Sequence, residues 1–182
     1  MDFISGLPKV DGKDWIWVIV DRLTKAAHFI PVRSTTTASQ YARIFMEQIF
    51  RLHGAPVSIV SDRGSQWTAQ FWKAFQKDLG TELKFSTAFH PQTDVQTERV
   101  NQVLEDMLRA CALDFHHSWV RDLPLVEFTY NNSYHSTIGM ALFEALYGRP
   151  CRTPSCWAEH GDSVIFGTEY VEEATRKVEL IP

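Results

Sequence analysis

Cysteine is scarce in this chain of 182 residues, which carries only Cys111, Cys151 and Cys156. Three scattered cysteines do not make a disulfide framework, and the absence of CxxC spacing argues against a zinc site. A reducing compartment is therefore the default expectation. Long apolar runs are also missing, none approaching the roughly 20 residues that span a membrane. No basic-then-apolar segment at the start resembles a signal peptide. Positive charge is in short supply too: 18 Lys and Arg against 22 Asp and Glu give a net charge of -4. Surfaces that bind nucleic acid are ordinarily basic, so this balance weighs against phosphate recognition by bulk attraction. It does not exclude it, because catalytic acids inflate the negative count and bound cations reverse the local sign. Internal repeats and low-complexity tracts are absent as well.

What remains is the composition of a globular domain, 45% hydrophobic and 22% charged, long enough for one full core. Met1-Asp2-Phe3-Ile4 reads as the end of a strand, and Gly6, Pro8, Asp11 and Gly12 supply turn chemistry after it. Trp-Ile-Trp-Val-Ile-Val, from Trp15 to Val20, is the pattern of a strand covered on both faces. Past the polar break from Asp21 to Lys25, Ala26 to Val32 reads as a third strand ending near Pro31. Connections this short imply an antiparallel meander. Tyr41, Phe45, Ile49 and Leu52 recur at helical spacing between Ala38 and Leu52, with Thr35, Thr36 or Thr37 as the cap. His53-Gly54-Ala55-Pro56 stops that helix.

Val57 to Val60 reads as a short strand, Thr68 to Leu79 as a helix ended by Gly80, and Glu82 to Ser86 as a fifth strand parallel to the fourth. Phe89 to Val95 lacks periodicity and contains Pro91, which predicts a mobile loop. Helical patterns then begin at Thr97, run from Trp119 to Tyr130, and recur from Ala141 to Tyr147. Thr168 to Ile181 shows helical spacing again. The order predicts an α/β fold with a mixed five-stranded sheet, three antiparallel strands then two parallel, flanked by helices. Residues 1–150 form the expected domain, and 151–182 a C-terminal extension with a helix at 168–181.

Three acids sit where such a sheet gathers side chains. Asp2 lies on the first strand, Asp62 follows the fourth, and Glu98 opens the long helical pattern. Acids bridging two cations about 3.5–4 Å apart can run phosphoryl chemistry, one ion activating the attacking oxygen and one the leaving oxygen. Mg2+ or Mn2+ suits hard carboxylate donors. Each acid also has a plainer role: Asp62 as a turn residue before Gly64, Glu98 as a dipole-supporting acid, Asp2 as a solvated terminal residue.

The longer motifs carry a resemblance. Met-Asp-Phe-Ile-Ser-Gly-Leu-Pro (1–8), Val-Asp-Arg-Leu-Thr-Lys-Ala-Ala-His-Phe-Ile-Pro (20–31), Ser-Asp-Arg-Gly-Ser-Gln-Trp (61–67) and His-Pro-Gln-Thr-Asp-Val-Gln-Thr-Glu-Arg-Val-Asn-Gln (90–102) stand in order. Asn-Asn-Ser-Tyr-His-Ser-Thr-Ile-Gly-Met (131–140) and Phe-Glu-Ala-Leu-Tyr-Gly-Arg (143–149) extend the set. Together they resemble the integrase of gypsy-type LTR retrotransposons, over nearly the whole chain. Asp62 and Glu98 have 35 residues between them, 63 to 97, as the family's D,D-35-E signature requires.

The resemblance implies a ribonuclease-H-like catalytic core and assigns Asp2, Asp62 and Glu98 as catalytic acids holding two Mg2+ or Mn2+ ions. It implies a polynucleotidyl transferase with endonuclease activity that processes the 3′ ends of element DNA and joins them to target DNA. DNA, a homodimer or higher oligomer and a nuclear location follow by the same resemblance, with no membrane and no small-molecule cofactor. Gln92 and Thr93, in the loop before Glu98, and Arg99 and Asn101 beside it are the expected nucleic-acid contacts. Arg99 also reads as a solvated helix position. Asp21 rivals Asp2 as the first acid, but its place between strands suits a hydrogen-bonding role in a turn. The family's zinc-binding and C-terminal domains have no counterpart motif here. Two departures, Val95 for Gly and Leu142 for Pro, support the alternative of an inactive nucleic-acid-binding or interaction module.

Overall fold

The computed structural model describes residues 1–61, 69–85, 95–115 and 118–151. The expected extension with its helix at 168–181 lies outside them, as do Asp62, Gln92 and Thr93. Strands β1 (Asp2–Ile4), β2 (Trp15–Val20) and β3 (Ala27–Val32) form the antiparallel meander. In it Asp2 faces Val18 and Val18 faces Phe29. β4 (Ser58–Ser61) and β5 (Glu82–Phe85) pair in parallel. The two sets meet where the Met1 ammonium donates to the Val60 carbonyl at 2.8 Å. That bond sets the start of β1 beside β4, so the antiparallel and the parallel sets adjoin in the expected order.

β2 divides the interior. Ile16 and Val18 belong to one core cluster with Phe29, Leu104, Leu123 and Val126, whereas Trp17 belongs to another with Tyr41, Phe45, Ile59 and Trp72. A two-residue period sends alternate side chains to opposite faces, and here both faces are covered by helices. Ile16, Trp17 and Val18 are each fully buried, as the unbroken apolar run implied. The second cluster is aromatic: Trp17 meets Tyr41 edge-on at 5.1 Å and Trp72 at 6.2 Å. Burial pushes the Tyr41 phenol up to about 12, against an opposing hydrogen bond with Thr36.

α1 (Ala38–Phe45) starts at Thr37, whose hydroxyl accepts from the Gln40 N–H while the Gln40 side chain accepts from the Thr37 N–H. This reciprocal box selects Thr37 among the three candidate threonines. The helix continues through a π-helical segment (Met46–Phe50) into α2 (Arg51–His53), and Gly54 follows at φ 74°. α3 (Gln70–Asp78) crosses between the parallel strands. α4 (Val95–Phe115) and α5 (Trp119–Asn132) cover the opposite face, followed by a short hairpin of β6 (Tyr134–His135) and β7 (Met140–Ala141) and by α6 (Leu142–Tyr147).

Several boundaries differ from expectation. α4 begins at Val95 instead of Thr97, so Val95 stands in a helical turn, where a β-branched residue meets no left-handed backbone demand. α5 runs past Tyr130 to Asn132 and contains Pro124. The 134–141 hairpin was not expected, because two-residue strands carry no readable period.

One buried side chain works against the fold. Gln76 on α3 is fully buried, and neither amide atom meets a hydrogen-bond partner among the described residues. A buried unpaired polar group costs about 1–3 kcal/mol. Gln76→Leu is expected to raise Tm by about 4 °C, since a domain of this size gains roughly 2–4 °C per kcal/mol. Calorimetry checks it, and a lowered Tm would show that the amide is satisfied in solution.

Candidate active site

Asp2 is held from two directions. Its Oδ1 accepts from the Phe3 N–H at 2.8 Å, and its Oδ2 accepts from Asn101 Nδ2 at 2.6 Å. The second bond joins β1 to α4 across 99 residues of sequence. It forms because Asp2 shares the sheet face of Ile4, the face that α4 covers. Asn101 was expected to flank the acids and touch phosphate, yet its amide nitrogen is committed to Asp2. Its Oδ1 is buried and meets no partner among the described residues. Both carboxylate oxygens of Asp2 keep a further lone pair.

The other acids are approached through their neighbours. Ser61 ends β4 fully buried, its hydroxyl without a partner among the described residues, and Asp62 is the next residue in sequence. Because Val60 is bonded to Met1, this end of β4 adjoins the start of β1. Glu98 lies on α4 three residues before Asn101, and positions three apart share a helix face. The backbone thus brings the helix position of Glu98 within one turn of the residue that grips Asp2. Arg99 is exposed on the same helix. Its charge opposes the burial that raises the Tyr130 phenol.

Asp21 is engaged elsewhere. Its Oδ2 accepts from the Thr24 hydroxyl at 2.6 Å and the Thr24 N–H at 3.1 Å, and its Oδ1 from the Leu23 N–H at 3.2 Å. Burial on its own would raise this carboxyl, but those bonds outweigh it and the net shift is downward. The side chain is spent on closing the β2–β3 turn. Ser61 is the residue that sequence reasoning passed over, and a serine before an acid gives no local signal of burial.

A family model described as integrase core domain matches residues 1–91, half of the chain. The chain belongs to the integrase core domain family. Over 147 residues, 81% of its length, it is 39% identical to the Tf2-3 and Tf2-4 transposon polyproteins of Schizosaccharomyces pombe. It spans 11% of the length of those relatives. A magnesium-bound HTLV-2 integrase catalytic core superposes with a TM-score of 0.63 at 17% identity, covering 79% of this chain and 92% of that one. The catalytic core of BIV integrase gives 0.62 at 20% identity, covering 81% and 93%. A simian T-cell lymphotropic virus intasome gives 0.67 at 17% identity, covering 79% and 52%.

These neighbours fix the fold as that of the ribonuclease-H-like integrase cores. Within it, the Asp2 surroundings suit a hard cation: a carboxylate with free lone pairs stands beside an asparagine whose buried carbonyl oxygen has no partner among the described residues. Among the described residues no group of three His, Cys, Asp or Glu converges on a metal, and the Asp62 and Glu98 side chains are not among those described. Nor is any helix among them long and apolar enough to cross a membrane.

Proposed function

We propose that this integrase core is a polynucleotidyl transferase that processes the 3′ ends of retrotransposon DNA and joins them to target DNA. The observation that carries the reading is the Asp2–Asn101 bond. It ties the first strand to α4 one turn from Glu98, at the sheet position where β4 hands the chain to Asp62. Asp2, Asp62 and Glu98 act as the catalytic acids, and Asn101 orients Asp2. Two Mg2+ or Mn2+ ions held by these acids would neutralise phosphate charge and activate the attacking oxygen. The protein's own contribution is then to fix the carboxylates and to hold the scissile phosphate in line.

DNA is the substrate and partner. Gln92, Thr93 and Arg99 supply its contacts, with Arg99 exposed on α4 next to the site. Assembly as a dimer or higher oligomer belongs to the same proposal, supported by the intasome and the trimeric core among the structural neighbours, and action in the nucleus is proposed from the family resemblance alone.

The test is metal removal. Incubated with a duplex carrying the element's end and a supercoiled target, the purified chain is expected to yield joined products with Mg2+ or Mn2+. EDTA should abolish them and re-added Mn2+ restore them. Joining that survives chelation would overturn the metal role. Cleavage without joining would reduce the chain to a hydrolytic nuclease. Failure to react, together with no heat of Mg2+ or Mn2+ binding in calorimetry, would select the inactive binding module instead.

A further inference from the structure

A second cluster lies at the edge of β3 that no described strand covers. His28 Nδ1 is 3.0 Å from Glu127 Oε1, and His28 Nε2 is 2.8 Å from His53 Nε2. The two rings are tilted by 50° with centroids 5.0 Å apart. We propose that His28 and His53 form a two-imidazole site for a divalent transition-metal ion of the Zn2+ class, clasping the end of α2 to the sheet edge.

Three features of the cluster argue for a metal. Glu127 is locked in place, because its second oxygen accepts from the Phe29 N–H at 2.7 Å. A fixed carboxylate on Nδ1 holds that nitrogen as the donor and turns the Nε2 lone pair outward, the arrangement that supports metal-bound histidines. Among the described residues, the one partner this lone pair meets is another imidazole nitrogen, 2.8 Å away. Without metal, a proton must lie between the two Nε2 atoms, which the neutral pair achieves by protonating His53 on Nε2. Metal binding moves that proton to Nδ1 and frees both Nε2 atoms as ligands.

The required movement is small. Zn–N bonds of about 2.05 Å at tetrahedral angles set the nitrogens roughly 3.3 Å apart, a few tenths of an ångström beyond their present spacing. His53 is exposed at the last turn of a short helix, just before Gly54, so it can yield that distance. Burial lowers the proton affinity of His53, the nearby His28 lowers it further, and Asp21 partly opposes both. An imidazole so biased toward its neutral form is the better ligand. Glu127 and Asp21 bring negative charge to the cluster, and Glu47 and Lys13 line the adjoining open groove of about 470 Å³ beside His28. Solvent there fills the remaining coordination positions.

One strand, β2, separates β3 from β1, and His28 takes the sheet face opposite to Phe29 and Asp2. Imidazole nitrogen selects Zn2+, Co2+ or Ni2+ over Mg2+, so the proposal stands whether or not the carboxylates hold metal. The test titrates the chain with ZnCl2 in excess Mg2+, following heat and the NMR signals of the histidine rings. The His28 and His53 rings are expected to shift together at the first equivalent. His53→Ala should weaken binding at least about tenfold, and Glu127→Gln about tenfold through the lost orienting bond. Equal affinity in His53→Ala overturns the proposal, as does Zn2+ uptake that leaves both ring signals unmoved. Because His53 is exposed, its replacement keeps the fold available for the comparison.

Discussion

Asp2→Asn is expected to lower strand transfer in Mg2+ about a thousand-fold while leaving Tm within a degree or two. The reason is local. The carboxylate of Asp2 now receives one N–H on each oxygen, from Phe3 and from Asn101. A replacement amide can accept through one oxygen alone, so its nitrogen would face the Asn101 side chain. Asn101 can answer by turning its own amide and presenting Oδ1, the atom that has no partner among the described residues. Both hydrogen bonds survive and only the charge is lost. Strand-transfer rates and a calorimetric scan on the same preparation check this. An unchanged rate ends the catalytic role of Asp2.

The control is Asp21→Asn, which is expected to keep the rate within a factor of about two, a barrier change of about 0.4 kcal/mol, because its carboxylate is bonded within the β2–β3 turn. Asp21 closes its turn through the Thr24 hydroxyl and two N–H groups, so its loss is felt in stability. The sign follows from its lowered folded-state value. The carboxylate stabilises the fold above the ordinary aspartate range, near pH 4, and that contribution fades as acid titrates it. A collapse of activity in this variant with Asp2→Asn unaffected would exchange the two roles.

What the sequence disclosed and what it hid divide along the range of the interactions. β2 was readable because six apolar residues in a row have few other homes, and the two clusters on either side of Trp17 and Val18 bear that out. A threonine cap among Thr35, Thr36 and Thr37 and the Gly54 stop were readable because they involve residues within one turn, and the structure chose Thr37. The π-helical segment Met46–Phe50 was not, because its hydrogen-bond shift leaves the apolar spacing of Phe45 and Ile49 intact. The His28–His53–Glu127 cluster joins positions 25 and 99 residues apart, and no local pattern announces it. The candidate acids were named through longer motifs, and their spacing alone left turn and capping roles open. Asn101 was named as a DNA contact for its position next to Glu98. Its bond to Asp2 came from tertiary geometry.

Asn131 shows the same limit most sharply, and it carries the largest expected effect on stability. In sequence it is only the first residue of the 131–140 motif, just past the expected helix end at Tyr130. In the structure it is fully buried inside α5, accepting from the Ala27 N–H at 2.9 Å and donating to the Ala27 carbonyl at 2.8 Å and the Glu127 carbonyl at 2.9 Å. Among the described residues β3 ends the meander with no further strand beside it, and an unpaired edge invites pairing with other chains. Asn131 and Glu127 supply what a neighbouring strand would: one takes both backbone groups of Ala27, the other takes the Phe29 N–H.

Asn131→Leu keeps most of the volume and removes all three bonds, leaving the Ala27 N–H and carbonyl buried and unpaired. At about 1–3 kcal/mol for each orphaned group, the expected loss is roughly 4 kcal/mol. That is a large share of the 5–15 kcal/mol typical of a domain, and it should lower Tm by about 12 °C. Asn131→Asp should be worse despite its shape, because a carboxylate oxygen would then face two carbonyls inside the core. Thermal scans of the two variants order these effects. A leucine variant as stable as the parent would show that α5 is held by packing alone. If the leucine variant loses stability and also associates with itself, the exposed β3 edge has found the partner that Asn131 denies it.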